Sequence, residues 1–343
     1  MASLPRRQLL IGAGALALAA CRPRTTSMTT SHTPRLDMDR LNHEVGEVAA
    51  RVRPGLLGVG MTNLDSGEVF TFDGDRRFPL QSVFKAPLGA AVLAEAEGGR
   101  LSLDEPFSLK DVDLSPPWSP VADAWPARRD YTARELLSLA VSRSDNTAAD
   151  VLMARIGGPG VVTAWLEGKR IDALHIDRYE RELQTEMLGL APFRPAWKGE
   201  AAFQAALTQV PAARRRQAMA AYLADSRDTA TPRGMLDFLD LLAGGGLLSA
   251  ASTRLLLQLM ALSPTGAARL KAGLPAGASL AHKTGTGPAD LGVTSAINDV
   301  GIAVLPDKRR YSMAVFVAGA ALSPAACESA IADVARALVR GVG

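Results

Sequence analysis

At 343 residues, 48% of them hydrophobic, the chain has a globular composition with material for one large core or two modest ones. The net charge of +3 includes Arg6 and Arg7, so without them it is near +1, and no basic stripe with interleaved aromatics is present. A nucleic-acid partner is therefore excluded. The four histidines (His32, His43, His175 and His282) show no paired ligand spacing, and the only cysteines are Cys21 and Cys327. Neither a metal nor a cofactor is expected, and Gly244-Gly245-Gly246 lacks the lysine and spacing of a phosphate loop.

The N-terminus reads as an export signal. Arg6-Arg7 form its charged region, and residues 9–20 form a 12-residue apolar run, too short to cross a bilayer as a helix. That run ends Leu18-Ala19-Ala20-Cys21, which looks like a bacterial lipobox with Cys21 as the lipidated residue. The paired arginines before Gln8-Leu9-Leu10 also resemble a twin-arginine signal. Any membrane association is expected only through this anchor. Acylation of Cys21 would leave Cys327 without a disulfide partner, as a small buried hydrophobe.

Residues 22–35, rich in Ser, Thr, Pro and Arg, read as a flexible tether, and the catalytic unit is expected over residues 36–343. Leu41, Val45 and Val48 recur at helical spacing through about Val52. Strands are predicted over 56–64 and 68–72, joined at Asp65-Ser66-Gly67. A helix runs from Ser82 to about Ala96 and stops at Gly98-Gly99. The proline-rich residues 103–128 read as loop. Thr132-Ala133-Arg134-Glu135 is a capping box opening a helix, another starts at Ser144-Asp145-Asn146, and a third spans 159–167. Helices over 231–242 and 249–262 precede strands over 279–286, 295–305 and 311–317, and a helix over 323–339 follows. This order, with strands at both ends and helices between, predicts an α+β fold whose antiparallel strands join in one sheet.

Three short motifs carry the chemistry. Ser82 and Lys85 lie at i and i+3 near a helix start, so the lysine reaches the serine hydroxyl and, when neutral, serves as its base. Alone, Ser-x-x-Lys occurs about once by chance in such a chain. Ser144-Asp145-Asn146 follows 62 residues after Ser82, and Lys283-Thr284-Gly285 follows 201 after it. Each tripeptide has a chance expectation of roughly five to ten per cent, so all three in this order are not accidental. The triplet is that of class A β-lactamases and penicillin-binding proteins, and from about Leu36 onward the chain resembles a class A serine β-lactamase.

The resemblance implies a five-stranded antiparallel sheet flanked by terminal helices, with a mostly helical lobe over about 82–262 and the site between them. It also implies hydrolysis of the β-lactam amide through an acyl-Ser82 intermediate. Ser82 and Thr286 would supply the oxyanion N–H groups. Lys85 would hold the proton network, and Ser144 would protonate the leaving nitrogen. Asn146 would bind the substrate side-chain amide, while Lys283 and Thr284 would meet its carboxylate. Gly285 leaves room for substrate along the strand. In Arg178-Tyr179-Glu180-Arg181-Glu182-Leu183-Gln184, Glu180 matches the glutamate that activates the deacylating water, and Gln184 stands where asparagine is usual. Trp118 occupies the place of the aromatic at the cleft mouth. Arg77-Phe78-Pro79, Asp228-Thr229-Ala230-Thr231-Pro232 and Asn298-Asp299 match further family patterns. The family expectation is a monomer.

Other positions depart from the pattern. No arginine follows Lys283 where many members place one, and Arg269, fourteen residues before Lys283, stands where others place a substitute. His282 replaces the commoner aspartate. Between Gln184 and Asp228 lies an insertion, residues 185–227, with two amphipathic helices expected around Pro211. Extending the Glu180 loop, it is expected to narrow the substrate range. The competing readings are a D,D-peptidase or penicillin-binding protein, against which Glu180 argues, and a penicillin-sensing envelope lipoprotein that acylates without fast turnover.

Overall fold

A computed structural model describes residues 35–115 and 117–342. The expected leader, with Cys21, and the tether as far as residue 34 lie outside the described residues. No described helix is long and apolar enough to cross a membrane.

Five strands form the main sheet: β1 (Leu56–Asn63), β2 (Val69–Phe72), β3 (Ser279–Thr286), β4 (Val293–Val304) and β5 (Arg310–Ala320). Their order is β2-β1-β5-β4-β3, antiparallel throughout, so both chain ends contribute as expected. A two-residue strand, Ala289–Asp290, adds to the start of β4.

The larger helices are α1 (Met38–Val52), α2 (Lys85–Glu97), α3 (Ala133–Ser142), α4 (Asn146–Arg155) and α5 (Pro159–Gly168). They continue with α6 (Glu180–Met187), α7 (Glu200–Thr208), α8 (Ala212–Ala224), α9 (Pro232–Ala243), α10 (Ala250–Ala261) and α11 (Pro324–Arg340). The capping box at Thr132 is present: the Thr132 N–H donates to Glu135 Oε2 at 2.8 Å and the Glu135 N–H to Thr132 Oγ1 at 3.2 Å.

Strand alternation divides the core in two. One sheet face, with Val59, Met61, Met313, Val315 and Val317, packs on Leu41, Val45 and Val52 of α1 and Ile331, Val334 and Leu338 of α11. Cys327 is buried there, with a free thiol. The opposite face, with Val300, Ala314 and Phe316, joins the core of the helical lobe. Phe78 stacks on Phe316 at a centroid distance of 5.7 Å. That fit needs Gly58, where a Cβ would fall 2.3 Å from the Phe78 ring. At the lobe's centre α2 is buried from Lys85 to Leu93, so it is apolar around its whole circumference apart from the lysine.

Residues 103–128 depart from the expected loop. Pro106–Ser108 pairs with Asp130–Thr132, and Pro120–Ala124 is a short helix whose N-cap, Ser119, accepts from the Ala122 N–H. Serine followed by proline is a helix-start signal, so the density of prolines concealed an element that one of them begins.

Residues 185–227, expected as an insertion, carry the two helices α7 and α8 on either side of Pro211, and α6 runs into them as far as Met187. Leu183 and Met187 of α6 pack with Leu188, Phe203, Met219 and Tyr222 in a third, separate cluster. The Glu180 helix and the insertion thus share one small core. Its neck is closed by the buried pair of Arg178 Nε and Asp228 Oδ2 at 2.6 Å.

Candidate active site

Ser82 lies in the 3-10 turn Gln81–Phe84, which leads directly into α2 at Lys85, so the α-helix begins three residues later than the start expected at Ser82. In a 3-10 turn the side chains at i and i+3 eclipse, and Lys85 Nζ donates to Ser82 Oγ at 2.9 Å. Lys85 is fully buried. Its nitrogen also donates to the Ser144 carbonyl at 2.9 Å and to Asn146 Oδ1, and it stands 2.8 Å from Glu180 Oε1. An ammonium has three hydrogens for these four oxygens, so two of the oxygens must share one hydrogen.

Glu180 begins α6 with 1% exposure. Its Oε1 accepts from Ser82 Oγ at 3.3 Å, and its Oε2 accepts from Gln184 Nε2, one turn later on the same face, at 2.9 Å. Both carboxylate oxygens are therefore engaged. The longer amide of Gln184 reaches the glutamate directly. Breaking one partner of the buried Lys85–Glu180 pair would cost about 3–5 kcal/mol, because the other charge would remain unpaired.

Ser144 has a left-handed backbone, φ +60°, which turns its hydroxyl toward β3. It accepts from Lys283 Nζ at 2.9 Å, and Lys283 also donates to the Thr284 carbonyl at 3.0 Å. Burial, reinforced by the Lys85 charge, pushes the Lys283 pKa well below the usual lysine range. This amine releases a proton more readily than an exposed lysine does. Asn146 turns its Nδ2 to the Pro117 carbonyl at 2.6 Å, and its backbone N–H donates to the Trp118 carbonyl at 3.2 Å. Trp118 is 62% exposed, and its indole N–H donates to the Arg143 carbonyl at 3.0 Å.

Along β3, the Thr284 hydroxyl pairs with that of Thr265 at 2.7 Å, and Thr286 is exposed. Glycine at 285 also has a reason within the protein itself. A Cβ there would fall 2.5 Å from the Leu80 carbonyl, so the turn carrying Ser82 closes this position before any substrate is considered. Arg269 is only 4% exposed. It donates from Nη1 to the carbonyls of Gly285 and Asn298 (3.0 and 2.9 Å), from Nη2 to Thr286 Oγ1 (2.7 Å) and from Nε to Glu328 (3.0 Å). Four of its five N–H hydrogens are thereby committed. His282 Nδ1 lies 2.8 Å from Asp299 Oδ1, and Asp299 also accepts from the Leu270 N–H, tying the Arg269 segment to the sheet. Asn298 donates to the carbonyls of Pro79 and Leu80, so the Asn298-Asp299 pair is structural.

These groups meet at a cleft of about 350 Å³ lined by Ser82, Trp118, Ser144, Asn146, Gln184, Arg269, Thr284 and Thr286 among others. A larger cavity of about 820 Å³ between α1 and α11 is lined by ion-paired side chains and by no serine, threonine, cysteine or lysine. Sequence reasoning missed Asp145 and Asp150. Asp145 caps α4 and accepts from Ser119 Oγ and the Val121 N–H, fixing the loop that bears Trp118. Asp150 accepts from Ser115 Oγ (2.6 Å) and from the backbone N–H groups of Glu180 (2.7 Å) and Arg181 (3.2 Å). It lies one helical turn beyond Asn146, a spacing that could have pointed to it.

Comparison with known proteins gives the same answer as the geometry. The family model described as the β-lactamase enzyme family matches residues 40–342. The chain is similar to the β-lactamase VEB-1 of Pseudomonas aeruginosa, 28% identical over 84% of this chain and 86% of that one. It is equally similar to the carbapenem-hydrolysing β-lactamase KPC of Klebsiella oxytoca, 28% identical over 84% and 85%. Among solved structures, a β-lactamase from Chitinophaga pinensis superposes with a TM-score of 0.72 at 32% identity, covering 87% of this chain and 97% of that one. A reconstructed class A β-lactamase, the last common ancestor of Gram-negative bacteria, gives 0.71 at 33% identity, covering 88% and 98%. The chain belongs to the β-lactamase enzyme family, in its class A branch.

Proposed function

We propose that the protein hydrolyses the amide bond of β-lactams through an ester on Ser82. The observation that carries this reading is the buried contact of Lys85 with both Ser82 Oγ (2.9 Å) and Glu180 Oε1 (2.8 Å) at the floor of the cleft. Ser82 Oγ attacks the lactam carbonyl carbon and gives its proton to Glu180, or to Lys85 once that lysine has passed a proton to Glu180, both within reach. The oxyanion faces the backbone N–H groups of Ser82 and Thr286. As the C–N bond breaks, the ring nitrogen takes the Ser144 proton, which Lys283 replaces across 2.9 Å. A water then gives a proton to Glu180 and attacks the ester carbonyl, and Ser82 leaves with a proton returned from the same network.

Thr284, Lys283 and the free N–H of Arg269 are suited to the substrate carboxylate, and Asn146 to its side-chain amide. Trp118 and Gln184 border the two. Nitrocefin turnover by residues 22–343, with Ser82→Ala alongside, tests the reading. Steady turnover lost in the variant is the expected result. A single stoichiometric burst would mark a penicillin-binding protein or sensor instead.

The leader supports export to the cell envelope and acylation at Cys21. Mass spectrometry of the mature N-terminus tests this, and a free Cys21 thiol would refute the anchor. The protein is further read as a monomer, which sedimentation of residues 22–343 checks.

A further inference from the structure

The insertion reaches behind the nucleophile. Tyr222 of α8 is 5% exposed and accepts a short hydrogen bond from Nε2 of Gln81, the residue immediately before Ser82. The same nitrogen lies 3.5 Å from Met187 Sδ at the end of α6. Gln81 is 1% exposed and has a left-handed backbone, φ +48°. A long side chain adopts that conformation only where its surroundings over-determine it.

Those surroundings are specific. Gln81 Cβ would stand 3.1 Å from a Cβ at Gly285, and Nε2 would stand 3.2 Å from one at Gly287. The side chain thus lies along the end of β3 with Met187 and Tyr222 closing the other sides. The peptide plane between Gln81 and Ser82 is rigid, so the backbone rotation at Gln81 sets where the Ser82 N–H points. The phenol that completes this enclosure comes from residues 185–227, and the shared core of Leu183, Met187, Phe203 and Met219 holds it there.

We propose that Tyr222 is a positioning residue: by fixing the Gln81 side chain it orients the Ser82 N–H, so the insertion acts on the oxyanion and not only on substrate entry. This rests on the reading of Ser82 as the acylated nucleophile. Both acylation and deacylation pass through a tetrahedral oxyanion, so both steps should respond while ground-state binding does not.

The test is Tyr222→Phe in residues 22–343, which keeps the ring in the core and removes only the acceptor. Rapid-mixing kinetics with nitrocefin separate substrate binding, acylation and deacylation, and urea denaturation monitors folding. The expected result is a fall of about tenfold in both chemical steps, equivalent to ~1.4 kcal/mol, with the substrate dissociation constant unchanged. Gln81→Leu should show the same fall, and the double variant should be no slower than Gln81→Leu alone. Chemical steps within twofold of the parent in both single variants, with or without a lower urea midpoint, would overturn the proposal and leave Tyr222 a packing residue. Failure of the underlying reading is distinguishable, because Ser82→Ala would then still turn over.

Discussion

Asp150 provides the sharpest test of how the Glu180 loop is held. It is fully buried, and its oxygens accept from Ser115 Oγ, from two backbone N–H groups of α6 and from Arg181 Nε at 3.3 Å. Burial raises its pKa from 3.8 to about 6, with the Ser115 hydrogen bond and the Arg181 charge opposing and the Glu180 charge adding. The native state therefore holds the Asp150 proton more tightly than the unfolded chain does. The contribution to stability is complete below pH 3.8 and is lost as pH rises through about 6. Two pKa units at 1.36 kcal/mol each make the loss about 3 kcal/mol. In Asp150→Asn nothing titrates at this position. The Arg181 attraction acts only on ionised Asp150 and is already part of that pKa, so any constant offset comes from the difference between an amide and a protonated carboxyl at this position. Urea unfolding of both proteins between pH 3.5 and 7 gives the difference curve. It should fall by about 3 kcal/mol in favour of Asn across that window and be level above it. A difference curve that is flat, or that rises with pH, would refute the claim that this carboxylate titrates where it is buried.

Glu180→Ala should slow deacylation by about 10²–10⁴-fold, so that acyl-enzyme accumulates and appears as a mass increase on the intact protein; unchanged turnover would remove Glu180 as the deacylating base. Gln184→Asn withdraws the amide from Glu180 Oε2 and leaves room for a water between them, so deacylation measured by stopped flow should accelerate. Arg269→Ala should raise KM for penicillins and also lower kcat, because the guanidinium holds Thr286 and the Gly285 carbonyl as well as the cleft wall. Replacing residues 189–224 by a short linker should expose Leu183 and Met187 and broaden the relative rates across penicillins and cephalosporins; unchanged relative rates would show that the insertion does not set substrate range.

Legibility followed local chemistry. The hairpin at Asp65-Ser66-Gly67, the capping box at Thr132 and the three strands before the last helix all announce themselves within a few residues, and all form. Ser82, Lys85, Ser144 and Lys283 were legible as motifs, and the fold brings them within 3 Å of one another in pairs. Contacts made by residues far apart in sequence were not legible. The Tyr222–Gln81 bond spans 141 residues and the Lys85–Glu180 pair brings together α2 and α6; no periodicity encodes either. Gly285 shows the limit most clearly, since the residue was recognised but the atom that forbids a side chain, the Leu80 carbonyl, was not.

Four of the eight non-glycine residues with positive φ in the described backbone lie around the chemistry. Gln81, Trp118, Ser144 and Asp228 are all non-glycine residues with positive φ, between +48° and +60°, and each borders the cleft or the neck of its loop. Each costs about 1–2 kcal/mol relative to the right-handed conformation. Each is also secured by a contact that a helix or strand alone would not supply: Tyr222 on Gln81, the Arg143 carbonyl on Trp118, Lys283 on Ser144, Arg178 on Asp228. Glycine at any of them would relieve the strain, yet it would also remove a side chain that either reacts, lines the cleft or closes the loop. Of the four anchors, only Tyr222 lies within the insertion. If residues 185–227 are an insertion into the Glu180 loop, the proposal makes their phenol an added support for the nucleophile's backbone, and a variant that keeps the loop but loses that phenol separates the two effects.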